Sequence, residues 1–324
     1  MVERMVGQLS LADGLISAAA SMLDELEAAV DWTPVRVLLG KRGVSGPGNS
    51  SYPAEALLRC LLLGVWHGLS DPALEKAIAD RISFRRFAGF SLQDQTPDHS
   101  TLWRFREELA RDRWVDQVFA EIGRQLEAKN LVLKQGTLID ASLVAARANP
   151  PRKPRGGAAD APATPSADSD ARWGRKGKKS VFGYKIHIGV DAAHTIVRRI
   201  DFTDGSVSDT EPADGLICGD EKAVYGDQAY YTHARHARLT EAKIKDRLMH
   251  RPNKHHPELS ARQKRRNRLI GRVRAAVERP FAVFKERYGM RRMRFYTLAR
   301  NRVHVVLACC AYNMRRTLGA LAPA

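Results

Sequence analysis

Cysteine is scarce in this chain, four among 324 residues, and none has a C-x-x-C or Cys/His ligand spacing. That excludes a disulfide framework and a thiolate-held zinc, and a reducing, cytoplasmic setting is the simplest account. Cys60 and Cys309 lie in apolar runs typical of buried thiols. Long apolar stretches are missing too. The longest, around Val303 to Tyr312, is too short to cross a bilayer. The N-terminus mixes acids and bases before any apolar run, unlike a signal peptide. A soluble protein with no membrane partner is expected. A phosphate cradle of the pattern G-x-x-x-x-G-K-[ST] is absent, so the Gly/Ser/Pro-rich segment Gly40 to Ser51 reads as a linker.

The most telling shortage is of negative charge in one place. Between Arg262 and Arg302 fifteen Lys or Arg residues stand against two carboxylates, Glu278 and Glu286. Over the whole chain the net charge is +17, unevenly spread. Met1 to Leu133 carries 15 basic and 18 acidic residues, whereas Lys134 to Ala324 carries 38 and 18. So dense a cationic segment calls for a polyanion, and nucleic acid is the commonest one. Within it Glu278 repels phosphate. A metal ion that it helps to hold would reverse that sign. The plain alternative is a surface ion pair with a neighbouring Arg.

The front of the chain reads as helical. Apolar periodicity predicts helices over about Ser10 to Val30 and Ala54 to Leu69. Ser70-Asp71-Pro72 and Thr96-Pro97-Asp98 restart the chain into further helices, the last over Ser100 to Leu109. Short helices with tight restarts suggest a helix-turn-helix-like module with Ser100, Arg104 and Arg106 as groove contacts. The alternative is a plain bundle with Trp103 and Leu109 in its core.

From Lys134 the period changes to that of strands. LVLKQGTLIDASLV and YKIHIGVDAAHTIVRRIDF alternate, with a hairpin turn at Asp191 to His194, and KAVYGDQAYY and DRLMHRP follow. Helices are predicted over Thr232 to Lys243, Ser260 to Tyr288 and Asn301 to Leu318. Strands followed by alternating helices and strands indicate an α/β domain with a mixed sheet. About 149–180, rich in Pro, Gly, Ala and Ser, reads as a disordered insertion, and Trp173 within it as an accident of composition. The domains expected are 1–130, a helical DNA-binding and assembly region, and 131–324, a catalytic region interrupted by that insertion.

Three carboxylates can then carry chemistry. Asp140 ends the apolar strand GTLID, Asp227 ends AVYGD, and Glu278 lies on the basic helix. Adjacent strands could unite the two aspartates, and a helix packed alongside could deliver the glutamate. Clustered like charges need cations, and two Mg2+ ions roughly 3.5–4 Å apart are the usual solution for phosphodiester chemistry. Asp209 rivals Asp227 but is expected to cap a helix starting near Thr210. His187, His194, His255 and His256 share no metal spacing.

These residues resemble the DDE transposases of bacterial insertion sequences, in the group whose glutamate helix carries Tyr-x-x-Arg-x-x-x-Glu-x-x-x-x-x-x-Lys. Arg274, Glu278 and Lys285 fall at those intervals, while Gly271 stands at the tyrosine position. Asp227-Gln228-Ala229-Tyr230 matches the Asp-x-Ala-Tyr motif of the second aspartate. Thr137 to Ser142 matches the Thr-x-x-Asp-[Ala/Ser]-[Ser/Thr] strand of the first, and Gly183 to Ala192 looks like the second strand. The resemblance implies an RNase H-like core behind an all-α N-terminal region. It implies hydrolysis at the ends of a mobile element, then attack of the freed 3′-OH on target DNA. Asp140, Asp227 and Glu278 would hold Mg2+, with Mn2+ as substitute. Arg274 and Lys285 would contact phosphates, joined by Arg265 and Arg266 of the same cationic stretch. Double-stranded DNA, meaning terminal inverted repeats and target, would be the partner of a homodimer or higher oligomer in a bacterial, nucleoid-associated setting. Two rival readings are a non-catalytic DNA-binding relative and a two-metal structure-specific nuclease on the same fold.

Overall fold

The computed structural model describes residues 4–8, 21–41, 51–152, 164–177, 179–252 and 257–321. Most of the predicted first helix, most of the Gly40 to Ser51 linker, and His255 and His256 lie outside the described residues. The chain divides into two units, Met1–Lys129 with Val306–Ala324, and Asn130–Val305. The C-terminal residues from Val306 thus differ from the sequence division, which kept them with the catalytic region.

The described part of the first unit is helical. It contains α1 (Met22–Ala29), α2 (Trp32–Gly40), α3 (Ala54–Trp66), α4 (Asp71–Asp80), α5 (Ile82–Ala88), α6 (His99–Arg111) and α7 (Trp114–Ala128). Both predicted restarts are built. Ser70 Oγ accepts from the Ala73 amide at 3.4 Å with Pro72 in the first turn, and Asp98 accepts from the Thr101 amide at 2.6 Å. Helix α3 is the centre of the unit, and its apolar side chains from Ala56 to Trp66 are buried. Trp66 donates from its indole nitrogen to the Ala311 carbonyl at 2.9 Å, which ties the C-terminal helix into this core.

The second unit is built on a six-stranded mixed sheet. Its strands are β1 (Thr137–Ala145), β2 (Arg172–Lys176), β3 (Lys179–Asp191), β4 (Val197–Asp204), β5 (Ala223–Gly226) and β6 (Lys245–Leu248). The order is β2-β3-β1-β5-β6, with β4 also paired to β3. Strand β3 runs antiparallel to β1, β2 and β4, whereas β5 runs parallel to β1 and β6. Parallel pairs need crossovers, and α8 (His233–Glu241) supplies the one between β5 and β6. Ile139, Val224, Tyr230, Leu239, Ile244 and Leu248 form a core cluster at this end of the sheet.

Several sequence expectations are corrected here. Strand β1 continues to Ala145, so Asp140 lies in mid-strand rather than at its end. ASLVA keeps the alternation going, and all nine residues pair with β3. The insertion is shorter than 149–180. Arg172–Lys176 is strand β2, where Trp173 packs edge-on against Phe182 at 5.7 Å. Ahead of it, Asp168 is buried and accepts from the Tyr184 hydroxyl at 2.6 Å and the Thr297 amide at 3.2 Å. Asp170 accepts from the Leu298 amide at 2.8 Å, so the two aspartates cap α11 (Leu298–Leu321). A low apolar content hid this segment, because its work is done by carboxylates.

The long basic helix is also interrupted. It is resolved into α9 (Ala261–Arg274), a 3-10 turn Ala275–Val277 and α10 (Glu278–Glu286). Pro280 lacks an N–H and its ring meets the carbonyl four residues back, at Ala276, which explains the tightened turn.

Candidate active site

Parallel pairing of β1 with β5 sets Thr137 opposite Val224 and Leu138 opposite Tyr225. The ladder ends there, and Asp140 and Asp227 each lie two residues beyond its last pair. Asp227 follows the last residue of β5 and caps the 3-10 turn Gln228–Tyr230, accepting from the Ala229 amide at 2.8 Å. Gly226 leaves room just before it for Leu248 and Tyr230 to pack. A Cβ there would stand 2.8 Å from Leu248 Cδ2 and 3.2 Å from Tyr230 Cδ2.

Arg274, the last residue of α9, reaches into this pair. Its Nη2 is 2.8 Å from Asp140 Oδ1 and 4.0 Å from Asp227 Oδ2. Burial pushes the Asp140 carboxyl above its ordinary range, partly countered by Arg274, and nearby Glu278 adds to the upward push. Burial opposes the charge of Arg274, yet Asp140, Asp227 and Glu278 together hold its affinity for a proton above the usual. The guanidinium is therefore a fixed cation among three carboxylates.

Glu278 begins α10, directly after the 3-10 turn, to which its amide donates. It is exposed, and among the described residues it forms no ion pair, so the surface-pair alternative is not realised. The 3-10 turn before it packs on β1, and its charge acts on both Asp140 and Arg274.

Tyr230 of the Asp-x-Ala-Tyr motif is a core residue that also borders these acids. Its side chain is buried and its hydroxyl has no hydrogen-bond partner. Burial raises its pKa, and Asp140, Asp209 and Asp227 raise it further, which places the phenol among the acids. Asp209 is not a helix cap. The turn Pro212–Leu216 begins after Glu211, and Asp209 instead accepts from Lys185 Nζ at 2.8 Å. The Asp-x-Ala-Tyr spacing was the signal for Tyr230. Nothing local marked Lys185.

The cations proposed for DNA sort into two groups. Arg262, Lys264, Arg265, Arg268 and Arg272 of α9 are exposed, and Lys285 on α10 is half-buried. Arg266 turns inward and donates to the Leu248 and Asp246 carbonyls at 2.7 and 2.9 Å, so it holds β6 rather than phosphate. In the first unit Arg104 is exposed, as is its neighbour Trp103, which the bundle alternative had placed in the core. Arg106 is buried in a bidentate pair with Asp71, both bonds 2.8 Å. It locks α6 to α4 and is unavailable to a groove.

Residues 133–314, more than half of the chain, match the family model described as Transposase DDE domain, and residues 11–108 match Transposase domain (DUF772). The chain belongs to the DDE transposase family. It has the RNase H-like core of that family, preceded by a helical region. No solved structure matches the chain. As a transposase it is a DNA-processing enzyme of a DNA-binding family that generally uses a divalent metal. No helix among the described residues is long and apolar enough to cross a membrane.

The donor set of the transposase suits such an ion. Asp140, Asp227 and Glu278 are hard oxygen ligands, and Arg274 already stands among them as a cation. A second cluster does not fit. Cys218, Asp220 and Glu221 have ligand atoms within 4.8 Å of one another, but Arg198 and Lys134 hold Asp220 at 2.8 and 2.9 Å. That cluster is neutralised by its own cations.

Proposed function

We propose that this transposase hydrolyses phosphodiester bonds at the ends of its mobile element and joins the freed 3′-OH to target DNA. The observation that supports the reading is that one guanidinium, Arg274, lies 2.8 Å from Asp140 and 4.0 Å from Asp227, with Glu278 close enough to act on Asp140. These three would hold Mg2+, or Mn2+ in its place. Such ions, when bound, activate the attacking water or hydroxyl and stabilise the leaving oxygen.

The chain's own side chains do the remaining work. Asp140 is fixed in the middle of a fully paired strand, and Asp227 by its own cap, so the carboxylates are presented rigidly. The exposed arginines of α9 lie along the helix that ends at the site, suited to draw duplex DNA across it. Joining two ends calls for a homodimer or higher assembly on terminal repeats and target.

Asp140→Asn, Asp227→Asn and Glu278→Gln should each abolish cleavage of DNA bearing the element's ends in Mg2+, while gel-shift affinity is kept or tightened. Loss of a carboxylate removes a cation ligand and also relieves repulsion of phosphate. Normal cleavage by Asp227→Asn, with loss in Asp209→Asn, would move the second ligand to Asp209. Sequencing of products from the parent protein separates joining from cutting. Nicked ends that never join would leave a nuclease.

A further inference from the structure

We propose that Arg274 is a positioning residue, an internal counter-ion that holds the aspartate pair together and competes with divalent cations for it. The inference rests on the reading of Asp140 and Asp227 as cation ligands. It assigns Arg274 a duty distinct from touching phosphate.

One nitrogen does the bridging. Arg274 Nη2 is in hydrogen-bonding contact with Asp140 at 2.8 Å and within ion-pair range of Asp227 at 4.0 Å. The Asp140 contact is sheltered, since the side chains of Asp140 and Arg274 are 11% and 21% exposed, whereas Asp227 is 37% exposed and meets the guanidinium from the solvent side. Carboxylates that share one guanidinium carry like charge, and a fixed cation between them offsets their repulsion and the cost of burying Asp140. An arginine cannot lose its proton in a protein, so it yields the carboxylates only by being moved aside.

Two orphaned donors show that the arrangement is not saturated. Arg274 Nε and the Tyr230 hydroxyl are both buried without a partner, and both border the same carboxylates. A planar fork cannot serve three acids at once, and Glu278 remains unpaired among the described residues. Arg274 also stands where α9 gives way to the 3-10 turn.

The test is Mn2+ binding by the full-length protein without DNA, followed by calorimetry or by the electron-spin signal of free Mn2+. Arg274→Gln should bind Mn2+ about fivefold more tightly than the parent, equivalent to losing one competing ion pair. Arg274→Lys, which keeps the charge, should stay close to the parent. Melting in chelator should be lower for Arg274→Gln than for the parent, and Mn2+ should recover it. Were Arg274→Gln unfolded in chelator, folding on addition of Mn2+ would support the proposal, and failure to fold would overturn it. Unchanged or weaker Mn2+ binding by Arg274→Gln would also overturn it, provided that Asp140→Asn loses Mn2+. Parent-like Mn2+ binding by Asp140→Asn would instead sink the reading of the site itself.

Discussion

A buried side chain that must stay neutral ties this fold to pH. His187, on β3, is fully buried, its Nε2 2.9 Å from Thr203 Oγ1 and its Nδ1 without a partner. Burial pushes its pKa down to about 4. The unfolded chain binds this proton near pH 6.5 and the folded chain does not, so stability is full above that value and falls as pH drops toward 4. At pH 5 the loss is about 2 kcal/mol relative to pH 7, from one unit being 1.36 kcal/mol. Urea unfolding at the two pH values checks this, and His187→Gln should remove most of the difference. An equal pH dependence in the variant would assign the acid sensitivity to other groups. At this scale the sequence was legible where chemistry fixes spacing. Asp140 and Asp227 were picked as strand ends and Glu278 by the interval from Arg274 to Lys285, and Arg274 reaches both aspartates although Asp140 lies in mid-strand. It was not legible where a partner is remote. Arg106 and Arg104 differ by two positions on one helix, and only the bidentate bond to Asp71 shows that one is core and the other surface.

Elements were read well where periodicity is clean and badly where polar groups carry the structure. The β3–β4 hairpin turns where expected because Asp191 accepts from the Ala193 and His194 amides at 3.0 and 2.9 Å. The segment before β2 defeated that logic, since Asp168 and Asp170 organise it through hydrogen bonds instead of apolar contacts. A deletion test separates the two halves of this region. Arg152 and Thr164 are already bridged, backbone to backbone at 3.1 and 2.8 Å, so the chain can be rejoined there by a short turn. Removing 154–162 should leave the melting temperature within a few degrees of the parent. Extending the deletion to Asp170 should lower it steeply, because the Tyr184 hydroxyl and the first amides of α11 lose their acceptors. Asp168→Ala alone should cost about 2–3 kcal/mol, the penalty for leaving buried donors unpaired. A parent-like melt for the longer deletion would show that these aspartates do not hold the helix.

At the scale of the whole molecule, charge assigns different work to the two ends of the sequence. The near-neutral first 133 residues cannot hold DNA by attraction alone, while the back half carries a large cationic excess. We therefore expect affinity and salt dependence to belong to the second unit. Each phosphate contact on duplex DNA contributes about 0.9 to the slope of log affinity against log salt. Replacing Arg262, Arg265 and Arg268 of α9 by Gln should flatten that slope by about 2.7 on the same principle, for element ends and random DNA alike. Arg266→Gln should instead lower stability, since its donors hold the end of β6. Discrimination should fall elsewhere. Trp103 and Arg104 are adjacent and exposed on α6, an aromatic and a guanidinium able to read base edges or stack. Arg104→Ala should narrow the ratio between end and random DNA with little change in slope, measured by competition binding at several salt concentrations. A triple Gln variant that loses discrimination, beside an Arg104→Ala protein that keeps it, would reverse the assignment and place end recognition on the basic helix beside the carboxylates.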